Sequence, residues 1–123
     1  MLELLGLNVM SNCSDVDQQP KIMELDWEFQ DFSQFEPPFN AIVGSDVIFL
    51  ESLVDPLLNT LIHLSDQKTS IFICVEKRNE MAYDLFIEKA RGYFSVKKVS
   101  ILHVSSFKSF DYFNNLFTPF FFK

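Results

Sequence analysis

The stretch Phe39 to Glu51, FNAIVGSDVIFLE, decides the fold. Its apolar run Ala41-Ile42-Val43 reads as a strand covered on both faces, as strands of parallel sheets are. The run stops at two small residues and an acid, Gly44-Ser45-Asp46. A helical pattern follows over Glu51 to Ser65, where Leu53, Val54, Leu57, Leu58, Leu61, Ile62 and Leu64 recur at three- and four-residue spacing. Pro56 is tolerable there if the helix starts near Leu53, because an N–H missing from a first turn has no partner to lose. In open α/β sheets ligands bind beyond the carboxyl ends of strands, and Asp46 stands at such an end.

Working outward, Ser70 to Glu76 is a second buried strand around Ile71-Phe72-Ile73-Cys74-Val75. Asn79 to Arg91 reads as a second helix with Met81, Leu85, Phe86 and Ile87 to one side, stopped by Gly92. Phe94 to Val104 contains the alternation of a strand with one wetter face. Strand–helix–strand–helix–strand is the α/β class, with right-handed crossovers. Upstream, Leu2 to Met10 is a short helix and Ser11 to Gln19 a polar turn before Pro20. Lys21 to Trp27 is a short strand candidate. Glu28 to Pro38 is an acidic, aromatic loop, since Pro37-Pro38 cannot lie inside a helix.

Bulk properties narrow the function. At 123 residues the chain makes one domain at most. With 48% hydrophobic and 22% charged residues it is globular in composition. A net charge of −7 excludes a general binder of nucleic-acid phosphates. Residues 1–65 hold eleven acids and one base, Lys21, against six acids and nine bases in residues 66–123. The acidic part can steer a basic protein surface toward it or form an ordinary solvated face. Cys13 and Cys74 make no disulfide framework, and Cys74 reads as a small buried hydrophobe. No signal peptide opens the chain and no apolar run approaches a membrane span, so a cytoplasmic setting without membrane contact is expected. His63 and His103 lack metal-ligand spacing, so no metal is expected. Neither a phosphate-binding glycine loop nor a nucleophile elbow is present.

The order ELDW, FNAIVGSDVIF, LVDPLLNTL, IFICVEKR, FSVKKV resembles the family-16 protein-lysine methyltransferases across residues 1–104. Residues 105–123, crowded with Phe, fade from that likeness; Phe120-Phe121-Phe122 can cap the sheet, line an exposed patch or depart from the relatives altogether. The resemblance implies a Rossmann-like, seven-strand class I fold with sheet order three-two-one-four-five-seven-six. It implies S-adenosyl-L-methionine as cofactor. It implies a lysine on a folded protein as substrate, such as a chaperone, an ATPase or a translation factor.

By the same resemblance, Trp27 lies against the adenine ring, a contact an indole suits because stacking contributes about 1–3 kcal/mol. Without it, Trp27 reads as a core or loop anchor. Asp26 either holds the adenine amino group or stabilises its turn. Ser45 and Gly44 border the cofactor, where smallness keeps the groove open, or simply form a tight strand end. Asp46 opens the family's Asp-x-x-Tyr motif and faces the incoming lysine, orienting the ammonium and helping its proton leave; the other reading is a helix cap. Phe49 stands where the family has Tyr, keeping an aromatic face for a cation but losing the hydroxyl. Glu76-Lys77-Arg78 either shapes the substrate mouth or is a structural charge cluster.

The glycine-rich turn of the family's first strand and the ribose-binding acid of its second are expected to lie outside this sequence, whose glycines are Gly6, Gly44 and Gly92. Two functions follow: a protein-lysine methyltransferase in a partial copy with impaired activity, or a non-catalytic interaction module derived from one. A third, weaker option is a small-molecule methyltransferase. Without strands one and two, strand four has an open apolar edge, so the expectation is that the chain needs its missing half, self-associates through that edge or is only marginally stable.

Overall fold

The structure is a computed structural model describing residues 2–14, 17–99 and 117–122, the last six as backbone alone. Its elements are α1 (Leu2–Asn12), β1 (Ala41–Ser45), a 3-10 turn (Glu51–Leu53), α2 (Val54–Leu64), β2 (Ser70–Glu76), α3 (Glu80–Ala90), β3 (Val96–Lys98) and β4 (Phe117–Phe122). The α/β class follows directly. β1 and β2 run parallel, with Val43 opposite Phe72 and Ser45 opposite Cys74. β4 runs antiparallel to both of its neighbours, so the sheet order is β1-β2-β4-β3.

Residue chemistry accounts for the local elements. α2 begins at Val54, which puts Pro56 in the first turn, where its missing N–H costs nothing. α3 starts because the Asn79 side chain accepts the backbone N–H of Ala82 at 3.1 Å. Its buried stripe is Ala82, Phe86 and Ala90, whereas Met81 is exposed. Two alanines bracket one large ring, so the helix approaches the core closely while Phe86 fills it. The stripe expected around Met81 is thus rotated toward the small residues.

The core lies on one face of the sheet. Ile71, Ile73 and Val75 of β2 alternate into it and meet Val54, Leu57, Leu58 and Leu61 of α2 and the α3 stripe. The opposite face carries Val43, 78% exposed, and Phe72, 44% exposed. The run Ala41-Ile42-Val43 is therefore covered on one side only among the described residues, unlike the two-sided burial its composition implies. Cys74 shares that open side and is half-buried rather than enclosed.

Thr69 fastens the starts of the two parallel strands. Buried, it donates from Oγ1 to the Phe39 carbonyl at 2.6 Å and accepts the Asp66 N–H at 2.9 Å. Ser70 N–H adds a bond to the Asn40 carbonyl at 3.0 Å. The loop of residues 28–38 is ordered by aromatic contacts, chiefly Phe32 stacked on His63 of α2 with ring centroids 4.6 Å apart.

Two expectations change. Residues 21–26 form no strand, because a strand needs a ladder partner and none of the described residues provides one. Of the stretch expected as a strand over residues 94–104, Val96–Lys98 is paired, while residues 100–104 lie outside those described. The Phe-rich end gains a structural place, since residues 117–122 pair with both β2 and β3. Pro119, opposite Cys74, brings no N–H to the ladder, and β3 stops at Lys98, opposite Phe120. The proline thus falls where β4 is paired on one side. α1 buries no residue and leaves Leu2, Leu4, Leu5 and Leu7 exposed.

Candidate functional site

Two parallel strands end side by side, and the chain turns sharply after the first. Asp46 adopts φ 54°, in the left-handed region that L residues seldom enter and Asp enters more readily than most. Its own groups hold the turn. The Asp46 N–H donates to the Cys74 carbonyl at 2.9 Å, and the Glu76 N–H donates to Asp46 Oδ1 at 3.0 Å. Such outliers concentrate at functional sites, where the surroundings over-determine them.

Arg78 completes the cluster. Its guanidinium hydrogen-bonds Glu76 Oε2 and sits 3.8 Å from Asp46 Oδ2. The hydrogen bond and charge of Glu76, with Asp46 adding to them, push the guanidinium further above its ordinary range. Lys77 turns elsewhere, 3.4 Å from Glu80 and 4.9 Å over the Tyr83 ring. The thiol of Cys74, beside Asp46, is pushed up mainly by burial and further by that carboxylate.

Asn79 has two tasks. While its oxygen caps α3, its Nδ2 donates to the Phe49 carbonyl at 3.3 Å. The segment from Asp46 to Phe49 is thereby tied to β2 at one end and to α3 at the other. The Phe49 ring is 46% exposed, so an aromatic face stands open near the acid in sequence. Sequence reasoning saw Asn79 only as a helix start. The cap preference of Asn was visible there, but the bond to Phe49, 30 positions away, was not.

The residues expected to border the cofactor divide between the two sides of the sheet. A Cβ on Gly44 would lie 3.1 Å from Ile73 Cδ1 and 3.4 Å from Val47 Cγ2, so its smallness answers to core packing. Ser45 is exposed, opposite Cys74 on the open side. Asp26 uses one carboxylate oxygen within its own turn, accepting the Glu28 N–H at 2.8 Å. Trp27 is half-buried and packs on the edge of the core cluster. Gly44, Ser45, Asp46 and Phe49 are thus gathered with Cys74, Glu76, Arg78 and Asn79, while Asp26 and Trp27 occupy a separate turn.

Chemically, this is an anchored carboxylate with one oxygen committed to a backbone donor and the other facing a cation. A shallow cleft of about 410 Å³ lined by Ile62, Ser65, Asp66, Gln67, Tyr93 and Phe94 includes no residue of this rim. Among the described residues, no group of three or more His, Cys, Asp or Glu is placed to hold a metal ion. No helix among them is long and apolar enough to cross a membrane.

A family model described as lysine methyltransferase matches residues 1–92. The chain is similar to protein N-lysine methyltransferase METTL21A of Mus musculus, 37% identical over 101 residues. It is also similar to METTL21A of Xenopus tropicalis, 30% identical over 101 residues. Each alignment takes in 80% of this chain and 45% of the relative. EEF1A lysine methyltransferase 3 of Xenopus tropicalis is 30% identical over 79 residues, 64% of this chain and 34% of its own. The chain therefore spans about 45% of the length of the METTL21A relatives it matches.

Proposed function

Because the chain belongs to the lysine methyltransferase family, we propose that it carries the substrate-facing part of a protein-lysine N-methyltransferase, with Asp46 as the acid that receives the target lysine. The observation that carries this reading is the Asp46 turn. A left-handed acid at the end of a parallel strand is held by the Glu76 N–H, with its second oxygen 3.8 Å from the Arg78 guanidinium. The strand order β1-β2-β4-β3, with β4 antiparallel, supports equating these strands with the four-five-seven-six half of the seven-strand fold.

Two residues are proposed to meet S-adenosylmethionine, one from the strand end and one from the separate turn. Ser45 leaves room on the open side of the strand ends, and the half-exposed indole of Trp27 provides a flat surface for a purine. Gly44 and Asp26 are spent on packing and on a turn, so their parts in holding the cofactor are indirect. Bound, the cofactor supplies an activated methyl group. Only a neutral amine can attack it, so the task of Asp46 is to orient the lysine and help its proton depart. The three glycines, Gly6, Gly44 and Gly92, are far apart in sequence, so none of these residues is assigned the methionine end of the cofactor. A lysine on a folded protein is the proposed substrate, and EEF1A, which the name of one relative prints, is a candidate.

Phe49 favours a second reading, a non-catalytic interaction module, since it lacks the hydroxyl of the family motif. One pair of measurements separates the two. Calorimetric titration with S-adenosylmethionine should give micromolar binding, and mass spectrometry should find methyl-lysine on EEF1A after incubation with both. Absence of heat and of methylation would leave only the interaction module.

A further inference from the structure

Asp46 has two oxygens to offer. Oδ1 is occupied by the Glu76 N–H at 3.0 Å, and Oδ2 faces Arg78 at 3.8 Å. That separation is an ion contact, longer than a hydrogen bond, so the lone pairs of Oδ2 are still available. Arg78 does not arrive there by its own flexibility: its Nε and one terminal nitrogen both engage Glu76 Oε2. With its side chain 65% exposed, the guanidinium can swing into solvent without disturbing the core. Lys77, next to it, is engaged toward α3 by Glu80 and Asp84 and does not compete for the acid.

We infer that Arg78 is a specificity-determining residue, an internal cation parked before Asp46 that an incoming lysine must displace. The inference rests on the reading of Asp46 as the lysine-facing acid and names what that acid selects. Two cations brought to one carboxylate oxygen repel each other. A free amine or a loose peptide has nothing to set against that repulsion. A lysine on a folded protein does, because contacts elsewhere on the docked surface offset it. Arg78 therefore acts as a filter for lysines presented by structured partners, and Glu76 is the clamp that positions it.

The test uses n-butylammonium as a probe of the acid, followed by NMR at the Asp46 and Glu76 amides at pH 7 and fixed ionic strength. Circular dichroism checks that each variant is folded. R78M should bind the probe about twofold to fivefold more tightly than the parent chain, the range of exposed ion pairs, and R78K should match the parent. R78M binding no more tightly than the parent, or neither binding at all, overturns the filter. The double variant D46N/R78M should lose the gain. Should it bind as R78M does, Asp46 is not the partner of the amine, and the underlying reading fails instead.

Discussion

The backbone N–H of Glu76 donates to the side chain of Asp46 across 3.0 Å, joining the ends of two parallel strands through a carboxylate rather than through the sheet ladder. Asn at position 46 keeps an acceptor for that N–H and tolerates the left-handed turn. Exchange D46N should accordingly leave the urea midpoint nearly unchanged while methyl transfer falls roughly 10²-fold or more. A large drop in stability with it would mark the acid as structural.

The family resemblance sets a Tyr where Phe49 stands, a difference of one hydroxyl. Its ring is about half exposed, so F49Y should leave the melting temperature unaltered. On the proposed reading of position 49, the regained hydroxyl should raise methyl transfer about threefold to tenfold, the worth of one hydrogen bond. Unchanged turnover would detach position 49 from the chemistry.

Thr69 is the buried polar pin of the strand starts. T69V leaves the Phe39 carbonyl and the Asp66 N–H without their partner, at a cost of about 1–3 kcal/mol. Urea unfolding should show it, and T69S should recover most of the loss.

Cys74 provides a pH readout of the rim. Burial, and then the Asp46 charge, push its thiol up, so less thiolate is present at any given pH. Alkylation by iodoacetamide should be slow at pH 8 and accelerate only above the usual thiol range. D46N removes the charge contribution and should shift that rise to lower pH; an unshifted profile would contradict the electrostatic link.

Val43 lies on β1, at the edge of the sheet among the described residues, and is 78% exposed. Such edges pair with other chains unless a charge interrupts them. If the chain self-associates through this strand, as proposed, V43K should reduce that association in light scattering without loss of secondary structure. Equal association by both proteins would place the contact elsewhere, for instance on the exposed leucines of α1.

Much of this architecture is readable from residue pattern. β2 is plain from its continuous apolar run, and α3 from its Asn start and Gly stop. Pattern misplaces what depends on partners. Residues 21–27 have strand chemistry but no ladder among the described residues, and residues 117–122 have Pro119 and no alternation yet pair with β2 throughout and with β3 over residues 120–122. At the rim, the strand end at Asp46 is legible from the sequence, while the roles given to Asp46 and Phe49 come from the family resemblance. The clamp of Glu76 and Arg78 on Asp46, and the reach of Asn79 to Phe49, join residues about 30 positions apart and exist only once the parallel strands are in register.

The slot that β4 fills has a consequence for the nascent chain. β3 pairs with β4 and not with β2, so the three residues Val96–Lys98 have no ladder until Phe117–Phe122 has left the ribosome. Translation proceeds at roughly 5–20 residues per second, so the far side of β2 stays bare for about a second or more of synthesis. During that interval the emerging polypeptide offers an apolar strand to any chaperone near the exit tunnel.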